Sequence, residues 1–212
     1  MASAVARWTA QGKQIAYLLV TSGEAGIDTL APDRAAILRQ DEQRRSAAVV
    51  GVDTVEFLAH PDGLVQQNLE LRRDIAAAIR RHRPEVIMGL NYRDEFPGGF
   101  RNHADHRAVG LALLDAVRDA ANRWIFPGAG GEQWSGVTFA IFGASPEATN
   151  AIDITETIDA GIASLSEHGE YLAALPDGAF GKDPDPFLRG MAQATGEHAG
   201  VPLAVAVELI PL

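Results

Sequence analysis

Two short stretches of the sequence combine histidine and aspartate at spacings that could support chemistry. Residues 102–110 read NHADHRAVG and place His103, Asp105 and His106 within four positions. Residues 59–63 read AHPDG and place His60 close to Asp62. A neutral imidazole can bind a divalent metal, and a nearby carboxylate can fix which ring nitrogen carries the proton. Both stretches are therefore candidates for a metal or acid–base site.

The first stretch also has a plain structural interpretation. If a helix begins at about residues 103–105, His103 and His106 lie on one face of it. Asn102 followed by Asp105 imitates a capping box, and an aspartate in the first turn suits the helix dipole. Capping explains these two polar residues but not the two histidines, whose charged form a helix N-terminus disfavours. Spacing alone leaves a helix start and a site equally open.

The second stretch can be a simple turn, because Pro61 presets one backbone angle and Asp62-Gly63 closes the turn. A catalytic zinc, however, needs about three protein ligands and an open position. By spacing alone, His60, Asp62 and His106 would supply those three ligands.

Other polar residues give weaker signals. Glu24, in the glycine-flanked segment TSGEAG, could contact a polar ligand or could be a solvated loop residue. Arg39 and Glu42 are one turn apart and could form an ordinary helix ion pair. His168 and His198 have no partner nearby in sequence, so we expect them to be structural or exposed.

Composition excludes several classes of function. The net charge of -10 and the pI near 5.0 argue against a nucleic-acid surface, which needs a basic stripe. The absence of cysteine excludes disulfides, thiolate metal sites and cysteine nucleophiles. No apolar run is long enough to span a bilayer or to form a signal peptide, so we expect no membrane partner and a cytoplasmic location. No phosphate-binding loop or serine-hydrolase motif is present.

The apolar periodicity alternates between helix and strand. Helices are predicted at residues 2–12, 32–51, 69–83, 105–122 and 155–168, and strands at residues 14–23, 53–59, 84–90, 137–143 and 203–210. This alternation predicts an α/β fold, a single-domain Rossmann-like sandwich over residues 1–212 with a mainly parallel sheet. Ligands bind such sheets beyond the carboxyl ends of the strands, and both histidine stretches follow predicted strands. The pattern opens with a helix at Met1, where a first strand is expected.

The order of these motifs resembles the PIG-L/LmbE-like family of zinc-dependent de-N-acetylases. The resemblance runs through LLVTSGEAG, RQDEQRRSAAVVGV, VEFLAHPDG, RPEVIMG, NHADHRAVG and IASLSEH, which cover nearly the whole chain. The most specific of these is NHADHRAVG, which is similar to the family's His-x-Asp-His motif.

The resemblance implies roles for individual residues. His106 would be a ligand of Zn²⁺ or another divalent metal, and Asp105 would orient a histidine. His103 would stabilise the tetrahedral intermediate or protonate the leaving amine. Arg39 and Asp62 match positions that face the substrate. The implied substrate is a small N-acetylated amino sugar, similar to N-acetylglucosamine, and the resemblance is compatible with a homo-oligomer.

The resemblance also argues against the triad proposed from spacing. Family members carry a His-Pro-Asp-Asp motif at the end of a first strand, before the segment that matches MASAVARW, and it supplies two metal ligands and the general base. The stretch with His60 matches a later position, where a histidine is not expected, so His60 is predicted not to be a ligand. We expect that a first strand with this motif is missing before Met1.

Two hypotheses about function follow. In the first, the protein is a hydrolase that removes an acetyl group, and its sequence record starts late. In the second, it is a catalytically inactive family member that binds a sugar-like ligand or a partner protein. The first is preferred, because His103 and His106 are both retained.

Overall fold

Helices and strands alternate through most of the chain, as the apolar periodicity predicts. A computed structural model describes residues 1–179 and 181–212, which divide into two units. The first unit comprises Met1–Asp62 and Ala151–Val205, and the second comprises Gly63–Asn150 and Ala206–Leu212. The assignment of one domain over residues 1–212 stays a prediction.

In the first unit, two parallel strands are joined by a long helix. Strand β1 (Ala16–Leu19) pairs with β2 (Thr54–Phe57), and helix α2 (Pro32–Val49) forms the crossover between them. Pro32 lies in the first turn of α2, where its missing N–H group costs nothing. Gly51 follows the helix with a φ of 75°, a left-handed conformation that glycine adopts without strain.

The other helices of the first unit are α1 (Ala2–Ala10), α5 (Ile158–Ser166), α6 (Gly169–Ala174) and α7 (Pro184–Ala199). Helix α1 packs against α5 at Gly161, where a Cβ atom would lie 1.9 Å from the Ser3 Oγ. A glycine is therefore needed for these helices to approach so closely. Ala4, Ile154, Ile158 and Ala192 form a buried apolar cluster in this unit.

The second unit contains α3 (Leu69–His82), β3 (Val86–Leu90), α4 (Ala104–Ala121) and β4 (Phe139–Gly143), and strands β5 (Asn150–Asp153) and β6 (Ala204–Pro211) complete the chain. Helix α3 begins at Asn68, whose side chain accepts a hydrogen bond from the Leu71 N–H at 2.9 Å. Its apolar stripe, Leu71, Ile75 and Ile79, is buried, and α3 packs against α4.

The α/β class is confirmed, but the direction of one strand differs from the prediction. Strand β3 is parallel to β4, whereas β6 pairs with β4 in the antiparallel direction over residues 207–211. The described strands also belong to two sheets and not to one. The apolar pattern of a buried strand is the same in either direction, so it could not distinguish these arrangements.

Three elements were not predicted, namely the short β5 and α6 and the 16-residue helix α7. No helix in the described part of the chain is both long and apolar enough to cross a membrane.

Candidate functional site

His103 is the residue at which helix α4 begins. Its Nδ1 atom accepts a hydrogen bond from the backbone N–H of Asp105 at 3.2 Å, so the imidazole itself caps the helix. Because Nδ1 accepts this bond, the proton of the neutral ring is on Nε2. The side chain is 57% exposed. The predicted cap, Asn102, lies one residue earlier and has other contacts.

Asn102 is buried between α4 and the loop that follows β3. Its Oδ1 atom accepts from the His103 N–H at 2.8 Å and lies 3.0 Å from the Nδ1 atom of His106. The rings of His103 and His106 are 5.6 Å apart between centroids, and Phe96 meets His106 edge to face at 6.2 Å. The two predicted site histidines are therefore neighbours.

Asp105 was predicted to orient a histidine, but its carboxylate makes its described hydrogen bonds to a turn. The backbone N–H groups of Gly63 and Val65 donate to it at 2.7 and 3.2 Å. The distance from its Oδ1 to the His103 Nδ1 is 3.8 Å, which is too long for a hydrogen bond. These contacts support a structural role, in which Asp105 fixes the 63–65 segment to the start of α4. Its catalytic role stays a prediction.

The loop after β3 anchors this region through a buried carboxylate. Arg93 pairs with Glu208 on β6, and Ser145 also donates to Glu208. Burial by itself would raise the pKa of Glu208, but the hydrogen bonds from Arg93 and Ser145 outweigh it and hold this pKa below its ordinary value. Tyr92 lies against α4 at Gly110, where a Cβ atom would be 2.3 Å from the Tyr92 Cβ.

A zinc site can be tested against the donors that are present. Among residues 1–179 and 181–212, no group of three or more His, Asp or Glu side chains is placed to hold a metal ion. Since a catalytic zinc needs about three protein ligands, the described donors do not fit a complete zinc site. His106 as a single ligand, and His60 as a non-ligand, stay predictions.

In the first unit, Asp62 and Glu24 hold two loops together by reciprocal hydrogen bonds. The Asp62 carboxylate accepts from the Thr21 hydroxyl at 3.0 Å and from the Ala25 N–H at 3.1 Å. The Asp62 N–H in turn donates to Glu24 at 2.8 Å, and Glu24 also accepts from the Ser22 N–H at 3.1 Å. Both acidic residues, predicted as ligand contacts or loop residues, thus have firm structural contacts.

Arg39 lies in a cluster of charged and aromatic groups, which we call the Arg39 cluster: Arg39, Glu42, His168 and Tyr171. Its Nη1 atom donates to Glu42 and lies 3.1 Å from the His168 Nδ1, and its guanidinium is 4.4 Å from the Tyr171 ring centroid. The Glu42 carboxylate is completely buried and also accepts from the Glu170 N–H at 2.8 Å. The predicted ion pair is therefore present, but its carboxylate is buried, unlike that of an ordinary surface pair.

His168 is buried in this cluster, as a structural histidine would be, although its partner Arg39 is distant in sequence. Burial lowers the pKa of His168, and the nearby Arg39 charge lowers it further, so the ring is held neutral. Neither Nε nor Nη2 of Arg39 donates a hydrogen bond within the described part of the chain.

Sequence reasoning missed the contacts of Asn102 and the tertiary contact between His168 and Arg39. Asn102 was assigned only to capping, although its position directly before the motif was visible. Glu42 was visible only as a helix neighbour of Arg39, and no sequence signal linked either residue to His168.

Comparison with known proteins identifies the family. The model of the PIG-L family, described as GlcNAc-PI de-N-acetylase, matches residues 1–117. This chain belongs to the PIG-L family. The match includes the stretch with His103, Asp105 and His106.

Two curated deacetylases are similar in sequence. A diacetylchitobiose deacetylase of Thermococcus kodakarensis is 29% identical over 115 residues, which are 53% of this chain and 42% of that protein. The 1D-myo-inositol 2-acetamido-2-deoxy-alpha-D-glucopyranoside deacetylase of Mycolicibacterium vanbaalenii is 29% identical, over 82% of this chain and 76% of that protein. The chain thus matches less than half of the first relative and about three quarters of the second.

A solved structure is similar in fold. The N,N'-diacetylchitobiose deacetylase from Pyrococcus horikoshii superposes with a TM-score of 0.87, covering 100% of this chain and 78% of that protein, at 21% identity. At this identity the likeness establishes the fold only.

Proposed function

We propose that this PIG-L family protein hydrolyses the amide bond of an N-acetylated amino sugar, or of a conjugate of one, and releases acetate. Membership of the family supports this proposal, as do the names of the two similar deacetylases, both of which refer to acetamido sugars. The substrate class is N-acetylglucosamine-like.

The observation that carries the proposal is the way in which His103 is held. Its Nδ1 is engaged by the Asp105 N–H, so its Nε2–H is the donating edge of a half-exposed ring. In amide hydrolysis, water adds to the carbonyl carbon, the C–N bond breaks, and the amine leaves with a proton. A fixed Nε2–H can donate to the oxyanion or supply the proton that the leaving amine takes up.

His106 is proposed as a metal ligand, and zinc is the first metal to test, followed by other divalent ions. When bound, such a metal would polarise water and the amide carbonyl. Because the described donors do not complete a zinc set, we assign no step of the reaction to it.

Arg39 is proposed as a substrate contact, since its Nε and Nη2 donors are not used by described residues. A guanidinium edge of this kind suits hydroxyl or anionic oxygens. Asp62 is also proposed as a substrate contact, since each of its carboxylate oxygens accepts one hydrogen bond from the protein and has the capacity to accept another.

A second candidate function is binding of a sugar-like ligand or a partner protein without catalysis. The observation that favours it is that no three-donor metal group exists among the described residues. The two candidates predict different results when the protein is given an acetylated sugar and zinc.

The test is release of primary amine from N,N'-diacetylchitobiose with added zinc, combined with saturation-transfer NMR for binding. We expect turnover by the wild type and a kcat about 10²–10³-fold lower for His103→Ala. The control is His198→Ala, because His198 is an exposed histidine on α7. Binding without turnover would establish the second candidate, and neither binding nor turnover would contradict both.

We further propose a cytoplasmic protein with a small-molecule substrate, without a nucleic-acid or membrane partner. The net charge of -10 supports the exclusion of nucleic acid. A homo-oligomer is proposed as well, and sedimentation velocity would test it.

A further inference from the structure

The side-chain amide of Asn102 makes hydrogen bonds through both its NH₂ group and its oxygen. The side chain is almost fully buried, with 3% of the residue exposed. Its Nδ2 donates to the carbonyl oxygens of Asn91 at 2.7 Å and Arg93 at 2.9 Å. Its Oδ1 accepts from the His103 N–H and contacts the His106 Nδ1.

These partners determine which end of the amide is oxygen. The Nδ2 end faces two carbonyl oxygens, which only accept hydrogen bonds, so it must be the NH₂ group. The other end receives a backbone N–H and must be the oxygen. An oxygen that accepts cannot donate, so the proton between Asn102 and His106 belongs to the His106 Nδ1. The lone pair of a neutral His106 is consequently on Nε2.

We propose that Asn102 is a positioning residue that fixes the tautomer and ring direction of His106. The same amide ties His106 to the loop after β3 through Asn91 and Arg93. This proposal rests on the proposed function only in giving His106 a role, because the tautomer follows from geometry.

The consequence is a pair of adjacent histidines in opposite tautomers. His103 has its proton on Nε2 because the Asp105 N–H occupies its Nδ1. His106 has its proton on Nδ1 because Asn102 accepts from it. One helix start therefore holds two histidine rings in opposite tautomers, with ring centroids 5.6 Å apart.

The experiment is long-range ¹H–¹⁵N NMR of the histidine rings in the ¹⁵N-labelled protein at alkaline pH, where the imidazoles are neutral. EDTA is added so that a bound metal cannot impose a tautomer. Loss of one ring signal set in His106→Gln assigns His106. We expect the wild-type His106 to have its proton on Nδ1, and a proton on Nε2 would overturn the proposal without any variant of Asn102.

Two variants then test the part played by Asn102. Asn102→Leu removes the acceptor, so the His106 proton should move wholly or partly to Nε2. Asn102→Asp keeps an acceptor oxygen and should retain the Nδ1 proton. The matched control is Asn68→Ala, which removes an asparagine cap from α3 and should leave the His106 signals unchanged. A pure Nδ1–H tautomer in Asn102→Leu would overturn the proposal. Deacetylation is not measured, so an inactive protein can still support it.

Discussion

Each unit of the protein contains an arginine that is largely shielded from solvent, and the two side chains make different contacts. Arg80 in α3 is 3% exposed, and its guanidinium donates to six backbone carbonyl oxygens at 2.8 to 3.2 Å. These carbonyls belong to Asp119, Ala120, Asn122, Ile125, Phe126 and Ala129. Arg39 in α2 instead binds the buried Glu42 through one nitrogen, beside His168 and Tyr171.

The difference indicates what each arginine contributes. Arg80 satisfies the carbonyls at the end of α4, which have no partner inside the helix, and those of the loop after it. All three of its nitrogens are engaged, so it has no group left for a ligand. Arg39 has donors that described residues do not use, and its charge is balanced by Glu42. We therefore interpret Arg80 as structural, whereas Arg39 keeps donors that are compatible with its proposed role as a substrate contact.

The largest difference is expected when each arginine is replaced by lysine in a separate variant. Arg80→Lys leaves three donors for six carbonyl oxygens, so the free energy of unfolding should fall by about 3–5 kcal/mol. Arg39→Lys can still pair with Glu42 and should cost less than about 1.5 kcal/mol. Urea unfolding with unchanged m-values measures both. Equal losses of unfolding free energy in the two variants would contradict the distinction between Arg80 and Arg39.

A smaller effect is expected from Glu42→Gln. The amide oxygen can still accept from the Glu170 N–H, but the NH₂ group would face the Arg39 guanidinium, which only donates. Breaking this buried pair should cost roughly 2–4 kcal/mol. Asp41→Asn is the control, because Asp41 pairs with Arg45 at the exposed surface, and it should cost less than about 1 kcal/mol. Differential scanning calorimetry should give a lower melting temperature for Glu42→Gln than for Asp41→Asn. Similar melting temperatures would contradict the argument.

The smallest effect concerns pH and His168. Its pKa is lowered by burial and then by Arg39, so the unfolded chain takes up this proton at a higher pH than the folded one does. Its contribution to stability is present above the unfolded pKa, about 6.5, and is lost as the pH falls towards the folded pKa. One proton limits the slope to about 1.4 kcal/mol per pH unit.

His168→Gln should therefore flatten the decline in unfolding free energy below about pH 6.5. The charged groups that influence this ring are Arg39, Glu42, Arg45 and Glu167. The exposed His198→Gln should keep the wild-type slope. Denaturant titrations at several pH values measure both, and identical slopes for His168→Gln and wild type would show that another group dominates.

Much of the fold could be predicted from local pattern. Helix α2 begins at Pro32 and ends before Gly51, and the stripe of α3 is buried, as their residues indicate. Helix α7 was missed because its sequence, PDPFLRGMAQATGEHA, contains two prolines and two glycines that hide its period. The antiparallel direction of β6 depends on tertiary pairing, which no single segment encodes.

The site was predictable only in part, because several of its contacts also depend on tertiary packing. His103 and His106 are three positions apart in sequence, and their pairing follows from helix geometry. The role of Asn102 depends on carbonyl groups from a loop about ten residues away, and His168 reaches Arg39 across 129 positions. Such contacts arise from packing, so residue types and short spacings do not reveal them.

The last residue of NHADHRAVG has a consequence for protein engineering. Gly110 lies within α4, where glycine costs about 1 kcal/mol relative to alanine, yet any side chain would collide with Tyr92. The histidine motif is thus matched to a particular aromatic side chain in a neighbouring loop. A grafting project that transplants the nine-residue motif alone would carry the histidines without the surface against which their helix is seated. Tyr92 and Gly110 should be transferred to the new scaffold as one module.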